Sequence, residues 1–199
     1  PFDRIVATVG CNDLSPAWFE QLSRDGFILC PTRHGHAHPI VRAQRDGASR
    51  FVAPSGFVRI RGRQDQEIWW PPRAGWIPDL VEWEATRFDI DERTMWHAGL
   101  YVALRDARGS GPMPLLVDGE SVAILEAEHG LGRSGEDGDA LAARLVQLLD
   151  DWESLGRPMM ADYVLRWETR SAAPHVDSLR GPWRIHRVHH DEIVSLSRA

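Results

Sequence analysis

Histidines and one cysteine are the residues here whose types and spacing could do chemistry. His34, His36 and His38 alternate. On an extended strand they would share a face, and a His-x-His pair is part of a zinc ligand set. No carboxylate or cysteine follows at ligand spacing and Pro39 ends the run, so the set is incomplete and no metal is assigned. Cys11 precedes Asn12 and Asp13. A cysteine nucleophile needs a base within reach, and His34 on the following loop is the candidate. The competing reading of Cys11 is a small residue lining a cleft, and Asp13 can equally complement the dipole of the helix that follows. His186, His189 and His190 read as part of a solvated tail. No residue is assigned a catalytic role. Asn12, Asp13, Thr32 and His34 are candidates for touching a substrate, on position alone.

That position comes from the elements around them. Residues 2–9 form a run rich in apolar and β-branched residues that ends at Gly10 and reads as a buried strand. Ser15 is a good N-cap and Pro16 suits the first helical position, so a short helix over residues 17–22 is expected. Arg24-Asp25-Gly26 reads as a turn with Gly26 left-handed, followed by an apolar strand over residues 27–30. A third strand begins at Ile40. Strand, helix, strand with short links is the unit of a parallel sheet covered by helices. Ligands of such sheets sit beyond the carboxyl ends of the strands, here residues 10–13 and 31–36.

Residues 1–45 resemble the later half of the catalytic domain of protein-L-isoaspartate O-methyltransferases. The resemblance lies in Phe2-Asp3-Arg4-Ile5, in Glu20-Gln21-Leu22 at the end of the helix, in Asp25-Gly26, and in the apolar strand from Phe27 that ends in Pro31. Later residues resemble, more loosely, the C-terminal extension of actinobacterial relatives, some of which methylate aspartate in ribosomally made peptides. The resemblance implies the C-terminal part of a doubly wound, Rossmann-like α/β sheet, followed by an α+β appendage. It implies S-adenosylmethionine as cofactor and a carboxylate of a protein or peptide, such as isoaspartate or aspartate, as substrate. The Gly-x-Gly-x-x-Gly spacing of the chain, Gly130-Leu-Gly-Arg-Ser-Gly, follows no clear buried strand and is discounted as a cofactor loop. The cofactor is therefore expected to be bound mainly by residues upstream of Pro1, and the chain is expected to need that missing segment or a partner chain.

The expected division is residues 1–50, the end of the catalytic sheet, and residues 51–199, the appendage that shapes substrate choice. Residues 57–60 read as a strand. Trp69, Trp70, Trp76, Trp83 and Trp96 crowd one irregular stretch with Pro71, Pro72 and Pro78. They read first as staples onto a core, second as a recognition surface. Residues 99–104 and 121–125 read as strands, and Asp118-Gly119 as a hairpin turn. Residues 130–138 read as a mobile loop. Leu141, Leu145, Leu148, Trp152 and Leu155 recur at helical spacing after Asp139, the expected N-cap. Tyr163, Leu165 and Trp167 alternate with Val164, Arg166 and Glu168 as in a half-buried strand, and residues 183–189 read as the last strand.

Composition narrows the function classes. Residues 1–63 carry nine arginines against five acids, and residues 64–199 carry 14 against 24, for a net charge of −6 with no lysine. That balance argues against non-specific nucleic-acid binding. No apolar run approaches the roughly 20 residues of a membrane helix, and two cysteines make no disulfide framework, so a cytoplasmic protein without membrane contact is expected. A second class stays open: a non-catalytic peptide-binding module with a Trp-rich recognition surface.

Overall fold

The computed structural model of the chain describes residues 1–35, 38–57, 82–109, 113–171 and 178–197. In chain order the elements are β1 (Phe2–Val6), α1 (Pro16–Gln21), β2 (Leu22–Pro31), β3 (Ile40–Gln44), β4 (Ala48–Ala53), β5 (Glu82–Glu84), α2 (Glu92–Arg105), β6 (Leu115–Asp118), β7 (Ser121–Glu126), β8 (Gly130–Ser134), α3 (Gly138–Ser154), a 3-10 turn (Met160–Asp162), β9 (Tyr163–Thr169), β10 (Trp183–His186) and β11 (His190–Leu196). The chain is mixed α/β, in two units.

The first unit takes the described residues of 1–33, 38–57 and 160–197. Its sheet runs β1-β2-β3-β4-β9-β11-β10. β1 and β2 are parallel and joined through α1, and the remaining pairs are antiparallel. Pro16 opens α1, and the backbone passes from Gln21 directly into β2 with Leu22 already extended. Gly26 therefore lies inside β2 rather than in a left-handed turn. A Cβ there would come within 2.8 Å of the Phe2 carbonyl oxygen, so glycine is needed for close approach of the two strands. β1 is apolar but not buried: it is the edge strand, and Phe2 and Val6 are 57% and 59% exposed. The core lies further in. Ile28, Val41, Phe51, Tyr163, Leu165, Trp183 and Val194 are buried, with Tyr163 edge-on to Phe51. β9 shows the expected alternation, with Tyr163, Leu165 and Trp167 inward. The strands after residue 159 thus hydrogen-bond into the first unit's sheet, and β11 follows β10 as a further strand.

The second unit contains the described residues of 82–159, with His34 and Gly35. Its sheet, β5-β8-β7-β6, is antiparallel throughout. The β6–β7 hairpin turns at Asp118-Gly119 as expected, with Gly119 at a φ of +58°. Residues 130–134 are strand β8 rather than loop. Gly130 has a φ of +89°, and a Cβ on it would meet the Glu84 carbonyl oxygen at 2.4 Å, so glycine is what lets β8 lie against β5. Residues 99–104 lie in α2, not in a strand. The helix starts at Asp91, whose side chain accepts from the Thr94 N–H at 2.7 Å, and runs on through the apolar segment, which is buried. α3 presents Leu141, Leu145, Leu148, Leu149 and Trp152 as one fully buried face. Its N-cap is Asp137, two residues before the expected one. No helix among the described residues is long and apolar enough to cross a membrane. The strand expected over residues 57–60 falls largely, and Trp69, Trp70 and Trp76 wholly, outside the described residues.

Candidate functional site

The carboxyl ends of β1 and β2 stay paired beyond the strands themselves. Cys11 bridges Thr32, its N–H donating to the Pro31 carbonyl at 2.8 Å and its carbonyl accepting from the Arg33 N–H at 2.9 Å. Gly10 is required just before this point: a Cβ would come within 2.4 Å of the His38 ring, which packs there with 2% exposure. In a parallel pair Cys11 and Thr32 point to the same face, and Cys30, two residues before Thr32, shares it. Both thiols are buried. Cys11 Sγ donates to the Val9 carbonyl and Cys30 Sγ to the Pro31 carbonyl, each at 3.5 Å, and the interaction between the two thiols lowers Cys11 below its ordinary pKa against the opposing effects of burial and Asp13. The same interaction, with burial, raises Cys30.

Asn12, Asp13 and Thr32 come together here, 4%, 0% and 0% exposed. Asp13 accepts from the Leu14 N–H at 2.7 Å, from the His189 N–H at 2.5 Å and from His190 Nδ1 at 3.1 Å. As a carboxylate it accepts only, so the His190 proton sits on Nδ1. His34, 3% exposed, is grouped with the second unit rather than with these three. His36 lies outside the described residues. Among the described residues no group of three histidine, cysteine or carboxylate side chains is placed to hold a metal ion.

The segment read from sequence as a solvated tail supplies the other half of this cluster. Arg187 and Glu192 form an ion pair, both within 9% exposure, and the Arg187 Nε–H reaches Glu192 at 3.1 Å. Arg187 also donates to the Asn12 carbonyl at 3.2 Å, and its guanidinium lies 5.8 Å from the centre of the Trp167 ring. The His190 ring sits between Phe19 of α1, at 5.5 Å, and Trp167, at 6.0 Å. The β10–β11 turn is therefore bound to the loop after β1 by two charged anchors, Asp13 and Arg187. No local sequence pattern announces a contact between residues 175 apart. The available signal is that Arg187, Asp191 and Glu192 flank the apolar residues of a strand, where unpaired charge would be costly.

Asp191 is fully buried on the same hairpin. Burial alone would raise its carboxyl. Hydrogen bonds from His186 Nδ1 at 2.8 Å, from the Ser171 N–H and hydroxyl at 2.8 and 2.9 Å, and from Arg184 at 2.7 Å outweigh it and hold the group well below the usual range. In the second unit Asp106 is likewise held at about 2, where Arg108 and Arg144 outweigh burial. A depressed folded-state carboxyl stabilises above its unfolded pKa, about 3.9, and loses that stabilisation as pH falls through the folded value. Asp106 alone is expected to contribute roughly 2 kcal/mol at neutral pH. Urea midpoints should hold from pH 7 to about 5 and drop steeply between about 4 and 2. Asp191→Asn and Asp106→Asn should each flatten that drop; an unchanged acid limb in both would contradict the assignment.

In chemical terms the cluster offers a carboxylate-held imidazole, an ion pair and a thiol pair, all largely removed from water. These groups can fix a backbone loop, but the described residues form no cradle for a nucleoside: Gly10 is filled by His38, and Asp13 is committed to the β10–β11 turn. No family model and no curated protein matches the chain. A solved structure of a protein-L-isoaspartate O-methyltransferase is similar at a TM-score of 0.35 and 16% identity, over 83% of this chain and 50% of that one. The chain thus spans half the length of that protein, and the likeness is too loose to transfer any residue.

Proposed function

We propose that this chain is the C-terminal part of an S-adenosylmethionine-dependent O-methyltransferase that esterifies a carboxylate of a protein or peptide, such as isoaspartate or aspartate. The observation that supports this best is the parallel β1–α1–β2 unit, whose two carboxyl ends meet at the Cys11–Thr32 bridge. It is the place where α/β sheets bind ligands, and it falls on the residues that carry the family resemblance. The cofactor supplies an activated methyl on its sulfonium. The described residues do not fit it, so its pocket belongs, on this reading, to an upstream segment or a partner chain, which would also cover the exposed faces of β1.

The chain's own part is positioning. A carboxylate is already a nucleophile, so the protein must place its oxygen and exclude water rather than supply a strong base. Asn12 and Thr32 are the residues proposed to face the substrate. Asp13 is proposed to act through its anchoring of His189 and His190.

The test is methyl transfer by the natural full-length gene product, from labelled cofactor to isoaspartyl and aspartyl peptides. Base-labile label, released as methanol, is the expected result. Asn12→Ala should lower its rate tenfold or more with the thermal transition unchanged. No transfer to either peptide would sink the reading. The alternative, a peptide-binding module without chemistry, draws support from Trp83, 36% exposed on β5 with its ring 5.1 Å from that of His129.

A further inference from the structure

Within the second unit a cleft of about 420 Å³ lies between the first turn of α2 and the β7–β8 turn. Glu92, Met95 and Trp96 line it from α2, at i, i+3 and i+4 on one helix face. Met113 lines it from the approach to β6, and Glu126, Glu128 and His129 from the β7–β8 turn. The inner wall is apolar: Met95 is buried, and Trp96 and Met113 are half-buried. The mouth is acidic: Glu92 and Glu128 are exposed, and Glu126 is half-buried with His129 Nδ1 at 3.0 Å.

The described residues of this unit from 82 to 159 carry 16 acids against seven arginines, whereas those of the first unit carry nine acids against 11. The cleft is thus an apolar, aromatic and thioether-lined hollow with carboxylates at its entrance, in the unit that carries the excess negative charge. An ammonium would lie at such a mouth as a strongly hydrated point charge. A guanidinium is more weakly hydrated, stacks on aromatic faces and forks onto carboxylates. Methionines adapt to the irregular apolar residues beside it.

We propose that this cleft binds an arginine side chain of a peptide, with the guanidinium between Glu92 and Glu128, its plane against Trp96, and a flanking apolar residue on Met95 and Met113. The inference stands on the second unit alone and holds with or without the methyl-transfer reading. A peptide that docks here would be held by an arginine distinct from any carboxylate that reacts.

The experiment is a fluorescence-anisotropy titration of fluorescein-labelled Gly-Leu-Arg-Leu-amide with the full chain, in the absence of S-adenosylmethionine. Saturable binding is expected, weakened tenfold or more when citrulline replaces arginine, which keeps the shape and removes the charge. Glu92→Gln with Glu128→Gln should weaken it tenfold or more while the thermal transition stays in place. Should the pair not fold, Glu128→Gln alone, at an exposed turn, is expected to weaken binding threefold or more. Glu120→Gln, in the β6–β7 turn about 20 Å along the strand from Glu126, should leave binding unchanged. Absence of binding, equal binding of the citrulline peptide, full binding by the folded glutamine variants, or an equal loss in Glu120→Gln would each overturn the proposal. Because no cofactor is added, failure here is separate from failure of methyl transfer.

Discussion

Glu192→Ala is expected to destabilise the first unit by about 3–5 kcal/mol. The variant leaves the Arg187 guanidinium, 9% exposed, without its carboxylate. The guanidinium lies beside the Trp167 ring, 5.8 Å from its centre, and donates to the Asn12 carbonyl at 3.2 Å, and neither group carries a charge to replace the carboxylate. Breaking a buried pair costs far more than replacing it, because the remaining charge is buried without the opposite charge that offset its desolvation. Arg187→Met combined with Glu192→Leu should therefore recover most of the loss, which makes the two sites strongly coupled. Urea unfolding measures the totals. Hydrogen exchange in β9–β11 and in residues 10–14 locates the effect, since Arg187 and Asp13 are the two anchors between those segments. A loss below about 1 kcal/mol for the single change, or a double variant whose cost equals the sum of the singles, would show that the pair does not hold the hairpin.

This pair also shows where sequence reading stops. β9 is legible because one residue in two is apolar and the burial follows that period. α3 is legible because its leucines and Trp152 repeat at 3 and 4, and the β6–β7 hairpin because Asp-Gly specifies its turn. Each signal is local. Residues 99–104 mislead because Tyr101 and Val102 favour strands, whereas the helix is set by Asp91, eight residues earlier, and is buried nearly all round. Residues 130–134 mislead because glycines that mark a loop in isolation are here the residues that let β8 fit beside β5. β1 misleads in the other sense: its apolar sequence is that of an interior strand, yet it forms the sheet's edge.

At the candidate site, Asn12, Asp13 and Thr32 are found by topology alone, since the carboxyl ends of parallel strands are predictable from strand–helix–strand order. Their partners Arg187, His190 and Glu192 are not. The chain brings charged residues back from the far end of the sequence, and a charged segment looks solvated until its counterions are known. For the same reason Cys11 reads as a lone thiol in sequence, though Cys30 on the neighbouring strand lowers its pKa.

Trp152→Ala is expected to cost the second unit about 3–5 kcal/mol, through a different mechanism. Trp152 is fully buried at the last turn of α3, on the face that carries Leu141, Leu145, Leu148 and Leu149. Removing the indole leaves a cavity that a close-packed helix–sheet interface fills only in part. It also removes the Nε1–H that donates to the buried Pro158 carbonyl at 3.0 Å, where the chain turns out of the helix through Gly156 at a φ of +82°. Trp152→Phe separates these contributions. It retains most of the apolar volume and loses the donor, so its cost should fall to about 1–3 kcal/mol, most of it the unsatisfied carbonyl. Hydrogen exchange should show protection falling in α3 and in β6–β8, the strands against which α3 packs. If Trp152→Phe proved as costly as Trp152→Ala, the hydrogen bond at the helix end rather than the packed face would be what fixes α3. If both cost under about 1 kcal/mol, the leucines alone would suffice, and the tryptophan would have been retained at that position for something other than the core.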